Sequence, residues 1–286
     1  MSHFYDIQNG SGVLSESSTA PQARKAGHLP SVTTVLGIIK DPFIDYIWKP
    51  RKLIELAREH TDLQPKQVQD LTYGLVQCAE TGNMIPSSEF GTTVHARLEG
   101  YVTGESMEPS EYDAYAQPFV SWLAKEGVTP VHAELVVYDE SIRIAGSVDF
   151  IGTEMNGNYI LMDYKCRSCK GSGKGKFYDK DCAQLAIEAW MFARMKGLDY
   201  IPKCVSVCID VDSKEHIHKE WSNVECYKGI LRAKLLATLY WMDFMCEDIG
   251  QLKERKKEML RDEIDMSISI LKELQSDIST NESATE

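Results

Sequence analysis

The stretch VHAELVVYDESIRIAGSVDFIG, residues 131–152, decides the fold class. Two runs rich in β-branched and aromatic residues flank Asp139-Glu140-Ser141, which predicts an antiparallel hairpin. NYILMDYKC, residues 158–166, follows the turn-prone Asn156-Gly157-Asn158 and predicts a third strand. A Gly- and Lys-rich loop comes next, then a helix from about Asp181 that stops at Gly197. CVSVCIDVD, residues 204–212, predicts a fourth strand, and HIHKEW, residues 216–221, a fifth.

Upstream of the hairpin the pattern is helical. Residues 64–78 mix polar and apolar positions at helical spacing. The next helix is expected to begin at Ser87 or Ser88, either of which suits an N-cap. In it Phe90, Val94, Leu98 and Val102 recur every four residues as a core stripe, while Gly91, His95 and Glu99 run along the adjacent line. A further amphipathic helix is predicted over 110–126. From Val224 to about Ile278 there is no proline and the pattern is mostly helical. Leu252, Met259, Ile264, Ile268, Leu271 and Leu274 form an apolar seam too irregular for a coiled coil. Together these elements predict an α/β fold with a small mixed central sheet flanked by helices. The expected organisation is a flexible arm at 1–28, a core at 29–222 with a helical N-terminal part, a helical extension at 223–275 and a disordered tail at 276–286.

Composition narrows the classes. With 286 residues and 43% hydrophobic content, the chain is long and apolar enough to bury a real core, which excludes general disorder. Its longest apolar runs fall far short of the ~20 residues of a membrane span. The N-terminus has no basic region before an apolar one, so no secretory signal and a cytoplasmic location are expected, with the eight cysteines kept as thiols. A net charge of −12 argues against polyanion binding over the whole surface, though not against a local basic channel.

Asp149 ends the second hairpin strand in Ala-Gly-Ser-Val-Asp, and Asp163 and Lys165 lie in the third strand in Leu-Met-Asp-Tyr-Lys. Strand alternation sends Asp163 and Lys165 to one side and Tyr164 to the other. Asp149 shares its side with the small Ala145 and Ser147, which leave room beside the carboxylate. If the strands pair, both aspartates converge on one hard cation. Singly, such residues are commonly turn formers or solvated edge charges. Asp163 and Lys165 share their side with Leu161, however, and burying two charges without a use is costly.

Gly91-x3-His95 on a helix, then Gly146-x2-Asp149, then Asp163-x-Lys165, then Gln184 opening the next helix: in that order these motifs resemble the PD-(D/E)XK nuclease superfamily, and most closely its RecB-like exonuclease branch. Leu29-Pro30-Ser31-Val32-Thr33-Thr34-Val35-Leu36 is similar to the N-terminal segment of phage members. The resemblance spans roughly residues 29–210. It implies a metal-dependent deoxyribonuclease acting on single strands or ends, in phage-type recombination, repair or degradation of DNA.

The resemblance also implies roles. Asp149, Asp163, His95 and the backbone carbonyl of Tyr164 would hold Mg²⁺ or Mn²⁺, Lys165 would orient the attacking water, and Gln184 would help place the DNA. Glu134 matches an acidic accessory position. The branch usually carries an aromatic four residues after the glutamine, where this chain has Glu188, with Trp190 nearby. Iron–sulfur members place one cysteine before the nuclease motifs and three near the C-terminus. Cys78 precedes them here, but only the isolated Cys226 and Cys246 follow Cys208, so no iron–sulfur cluster is expected. Nor is structural zinc at Cys166-x2-Cys169 with Cys182, for want of a fourth ligand at suitable spacing.

The loop Lys165–Lys176 holds five basic residues and no acidic one, which suits Lys170, Lys174 and Lys176 to backbone phosphates. His216 and His218 are expected as surface residues. The rival expectations are a nuclease-fold protein that binds DNA or a partner without cutting it, and a partner-dependent subunit whose long C-terminal helices dock onto a recombinase or a second copy.

Overall fold

The computed structural model describes residues 3–16, 19–39, 49–59, 75–77, 84–169 and 173–244. Lys170, Cys78, Cys246 and the predicted C-terminal seam and tail lie outside these residues, as does most of the helix expected over 64–78. The described part of that helix, Leu75–Gln77, is instead a strand.

In chain order the elements are β1 (Phe4–Gln8), β2 (Ser11–Leu14), α1 (Ala20–Lys25), β3 (Leu29–Pro30), α2 (Val32–Leu36), α3 (Lys49–Glu59), β4 (Leu75–Gln77) and β5 (Met84–Pro86). Then follow α4 (Ser87–Thr103), α5 (Asp113–Glu126), β6 (Thr129–Asp139), β7 (Ile144–Thr153), β8 (Tyr159–Arg167), α6 (Asp179–Lys196), β9 (Lys203–Asp210), β10 (His216–Glu220) and α7 (Asn223–Phe244). β4 pairs with β5, setting Val76 opposite Ile85.

The central sheet has the order β10-β9-β8-β7-β6. β8 and β9 are parallel, joined by the α6 crossover, and the other pairs are antiparallel. The fold is therefore mixed α/β, as expected, with helices on both faces. One face is covered by α4 and α5, where Phe90, Val94, Leu98 and Phe119 meet Phe150, Met162 and Tyr164. The other is covered by α6 and α7, where Leu185, Phe192 and Ile230 pack with Val148 and Leu161. No helix among the described residues is long and apolar enough to cross a membrane.

Three local expectations need correction. α4 starts at Ser87, but Pro86 occupies the N-cap position and no side chain caps the helix. The backbone N–H that proline lacks is one a helix start leaves unbonded anyway. Residues 3–14, expected within a loosely docked arm, form β1 and β2, which join β3 in a second sheet. Phe4 and Tyr5 are buried, and Ser31 bridges to Ala145 of β7, so apolar side chains hold this hairpin to the core. His216 and His218 are half-buried rather than solvated. His216 Nε2 donates to the Tyr115 carbonyl at 2.6 Å, and the His218 ring stacks on Trp122 with centroids 4.1 Å apart. Burial lowers the pKa of both, that of His218 to about 4.

Candidate active site

β7 and β8 pair only from Thr153–Tyr159 to Phe150–Met162, and beyond that rung they diverge. The divergence begins at Asp149 and Asp163. It leaves the Tyr164 N–H without a ladder acceptor on β7, and the Asp149 carboxylate takes it instead, Oδ2 accepting at 2.7 Å. A sheet that stayed closed here would have consumed that N–H and left no opening for the carboxylates.

Into the opening come three residues from three elements. His95 of α4, Glu134 of β6 and Asp149 of β7 each turn one ligand-type atom inward, and these atoms lie within 4.8 Å of one another. His95 Nδ1 is 3.7 Å from Asp149 Oδ2, and its ring stands edge-on to Tyr164 with centroids 5.5 Å apart. The alignment of Phe90, Val94 and Leu98 toward the core sets this helix face, leaving His95 on the flank over β7 and β8. Glu134 accepts from Ser147 Oγ at 2.7 Å. Its backbone has φ 49°, a left-handed conformation rare outside glycine and costing about 1–3 kcal/mol, so the rest of β6 holds it there against local preference.

Asp163 is not part of that triad. It is 2% exposed, its Oδ1 accepts from Lys165 Nζ, and its Oδ2 is buried without a hydrogen-bond partner. An unsatisfied buried carboxylate oxygen costs a few kcal/mol unless something positive meets it. Asp163, expected to share one cation with Asp149, stands beside the group whose ligand-type atoms lie within 4.8 Å of one another. The triad is His95, Glu134 and Asp149, with the Asp163–Lys165 pair beside it.

The electrostatics follow from crowding acids in a part-buried site. Burial pushes the Asp149 carboxyl up to about 6; His95 and Lys165 oppose the shift, and Asp163 and Glu134 add to it. Burial would lower Lys165, but the Asp163 and Asp149 carboxylates outweigh it and hold the ammonium above its ordinary range. A positive ion among these oxygens relieves the repulsion, and two carboxylates with one imidazole are a donor set that suits a divalent cation.

Glu188 had no assigned role in the sequence reading, and the structure buries it at 2% exposure. Burial, then the charges of Asp163 and Asp149, raise its carboxyl well above the usual range. The Gln184 side chain, expected at the DNA, donates to Glu188. Gly146 makes the space: a Cβ there would stand 2.7 Å from Glu188 Oε1 and 3.2 Å from Val32 Cγ2. Trp190 lies under the Lys234 ammonium, 3.9 Å from its ring centroid, and so faces α7. The helical period carries the clue to Glu188: it lies one turn after Gln184 on a helix whose neighbouring positions are apolar. Gly146→Ala is expected to destabilise the protein by about 1–3 kcal/mol through overpacking. A thermal melt of the purified variant checks this.

Of the predicted DNA-facing lysines, Lys174 and Lys176 are exposed, but the Lys176 ammonium donates to the Ser168 carbonyl and closes the loop on itself. Arg167 anchors the same loop, bonding the Lys176 carbonyl and forking onto Asp181 at 2.7 and 2.8 Å. The cleft over the site, ≈ 550 Å³, is lined by Ser88, Gly91, His95, Glu134, Asp149 and Lys165, among others. A Cβ at Gly91 would meet nothing within 4 Å, so this glycine widens the cleft and makes no close contact with the sheet.

No protein-family model matches the chain, and no curated protein matches it. Among solved structures it is similar to SSO0001, at 18% identity over 72% of this chain and 84% of that one, with TM-score 0.28. It is similar to a candidate exonuclease from Eubacterium rectale, at 7% identity over 69% and 84%, with TM-score 0.37. It is also similar to the alkaline exonuclease LHK-Exo of Laribacter hongkongensis, at 11% identity over 77% and 98%, with TM-score 0.29; that enzyme has also been solved in complex with dAMP. With TM-scores below 0.5, these likenesses carry no part of the functional assignment.

Proposed function

We propose that this protein is a metal-dependent DNA exonuclease that hydrolyses phosphodiester bonds at single strands or ends. The observation that carries the reading is the convergence of His95, Glu134 and Asp149 beside the Asp163–Lys165 pair, whose buried Asp163 Oδ2 has no partner. Preference for ends rests on the resemblance of the ordered motifs to the RecB-like branch.

In this reading His95, Glu134 and Asp149 hold the ion, with the Asp163–Lys165 pair beside them. Bound Mg²⁺ or Mn²⁺ supplies positive charge that polarises a phosphate and lowers the pKa of water. The chain does the positioning. Tyr164 N–H and His95 fix the Asp149 carboxylate, Ser147 fixes Glu134, and Asp163 fixes the Lys165 ammonium where negative charge develops on the phosphate. The loop of Lys170, Lys174 and Lys176 is assigned to steering the backbone toward the cleft, a local basic element in a chain of net charge −12.

The test is release of label from end-labelled single- and double-stranded DNA with Mg²⁺, Mn²⁺ or EDTA. Release that requires the metal and proceeds from an end is the expected result. Binding without cleavage under every metal would replace the reading with a nuclease fold that binds DNA and does not cut it. In parallel, millimolar Mn²⁺ is expected to raise the melting temperature of the wild type and not of Asp149→Asn, since only a ligand held by the native state stabilises it.

A further inference from the structure

Along β7 the small residues Ala145 and Ser147 precede Asp149 on one side of the strand, and each of the three has a different neighbour. Tyr5 packs on Ala145, Glu134 accepts from Ser147, and His95 stands over Asp149. Two residues of strand advance by about 7 Å, so Tyr5 is the next side chain in the row that Glu134 and His95 begin. It is brought there by the docked N-terminal hairpin, where it pairs with Leu14 and Leu29 and is 9% exposed.

The Tyr5 hydroxyl has no hydrogen-bond partner among the described residues, while Glu188, Glu134 and Asp149 all act on it electrostatically. Burial first, and then these three charges, push the phenol up to about 12, so it remains an O–H donor at neutral pH. Each of the three carboxylates already has a donor of its own: Gln184 for Glu188, Ser147 for Glu134 and the Tyr164 N–H for Asp149. The phenol bonds none of them, which leaves its O–H available to an incoming acceptor. In a trough of acids, an incoming phosphate accompanied by a cation is the acceptor that electrostatics admits.

We propose that Tyr5 is a further substrate-contacting residue whose hydroxyl donates to a non-bridging phosphate oxygen of the bound strand, so that the N-terminal hairpin completes the site. The proposal rests on the nuclease reading above. Tyr5→Phe keeps the ring and its packing and removes only the donor. Three measurements decide: kcat and KM on end-labelled DNA, affinity for the same oligonucleotide with Ca²⁺ by fluorescence anisotropy, and the thermal melt.

The expected result is an unchanged melt with kcat/KM lower by about 10- to 100-fold and weaker oligonucleotide binding, the loss of one hydrogen bond to a charged group. Wild-type kcat/KM and affinity in Tyr5→Phe would overturn the proposal while leaving the nuclease intact. A fall in activity that tracks a lowered melting temperature would overturn it too, as a purely structural role. If the wild type itself cleaves nothing, the nuclease reading fails, and Tyr5 is judged by affinity alone: a loss in Tyr5→Phe sustains the contact, and no loss ends it.

Discussion

Lys165→Ala is expected to lower kcat by about a hundred- to a thousandfold, and Asp163→Ala by at least as much, with the double variant no worse than the poorer single one. The magnitude is that of losing one preorganised charge-stabilising group from an active site. The non-additivity follows from the geometry. Lys165 Nζ is bonded to Asp163 Oδ1, and Asp163 is 2% exposed, so neither group keeps its position or its counter-charge without the other. Removing the lysine leaves a buried carboxylate with neither oxygen bonded by this pair, and removing the aspartate frees the ammonium to swing toward solvent. Groups that act as a unit show this pattern in kinetics. Single-turnover cleavage of end-labelled DNA by the two single variants and the double variant checks it. Effects that multiply would mean that Asp163 and Lys165 work separately and that their contact is incidental.

Asp181→Ala is expected to destabilise the protein by about 3–5 kcal/mol, the cost of stranding one partner of a largely buried, forked ion pair. Asp181 accepts both guanidinium nitrogens of Arg167 and also the Tyr178 N–H at the start of α6. One carboxylate therefore ties the end of β8 to the helix that follows and caps that helix. Arg167 also bonds the Lys176 carbonyl, so losing Asp181 loosens the basic loop as well. Chemical denaturation measures the stability change. DNA affinity should fall together with it, and Asp181→Asn, which keeps one acceptor oxygen, should recover part of both. A variant as stable as the wild type would show that α6 and β8 hold together without this pair.

Much of this was written in local patterns. The alternation through 131–152 and 158–166 specified the hairpin and the third strand, because a period of two admits only one assignment of faces. The four-residue stripe Phe90-Val94-Leu98 specified α4 and, with it, the flank that carries His95. Asp149, Asp163 and Lys165 are candidates from those same periods together with the order of the motifs, and Glu134 from the resemblance alone. Glu188 and Tyr5 were not, and the reason is physical. A buried Glu on a helix reads locally as a polar exception, and only the missing Cβ of Gly146 on a distant strand makes room for it. A tyrosine five residues into the chain reads as part of an arm until Leu29 and Ala145 bury its ring.

The sequence by itself determined the element order from α4 to β10 and most of the candidate acids, since these depend on spacing within one segment. Only the tertiary structure decided which acids form the triad. That depends on where β7 and β8 part, on the left-handed turn of the backbone at Glu134, and on how far α4 brings His95 over the gap. All three are set by packing between segments far apart in the chain.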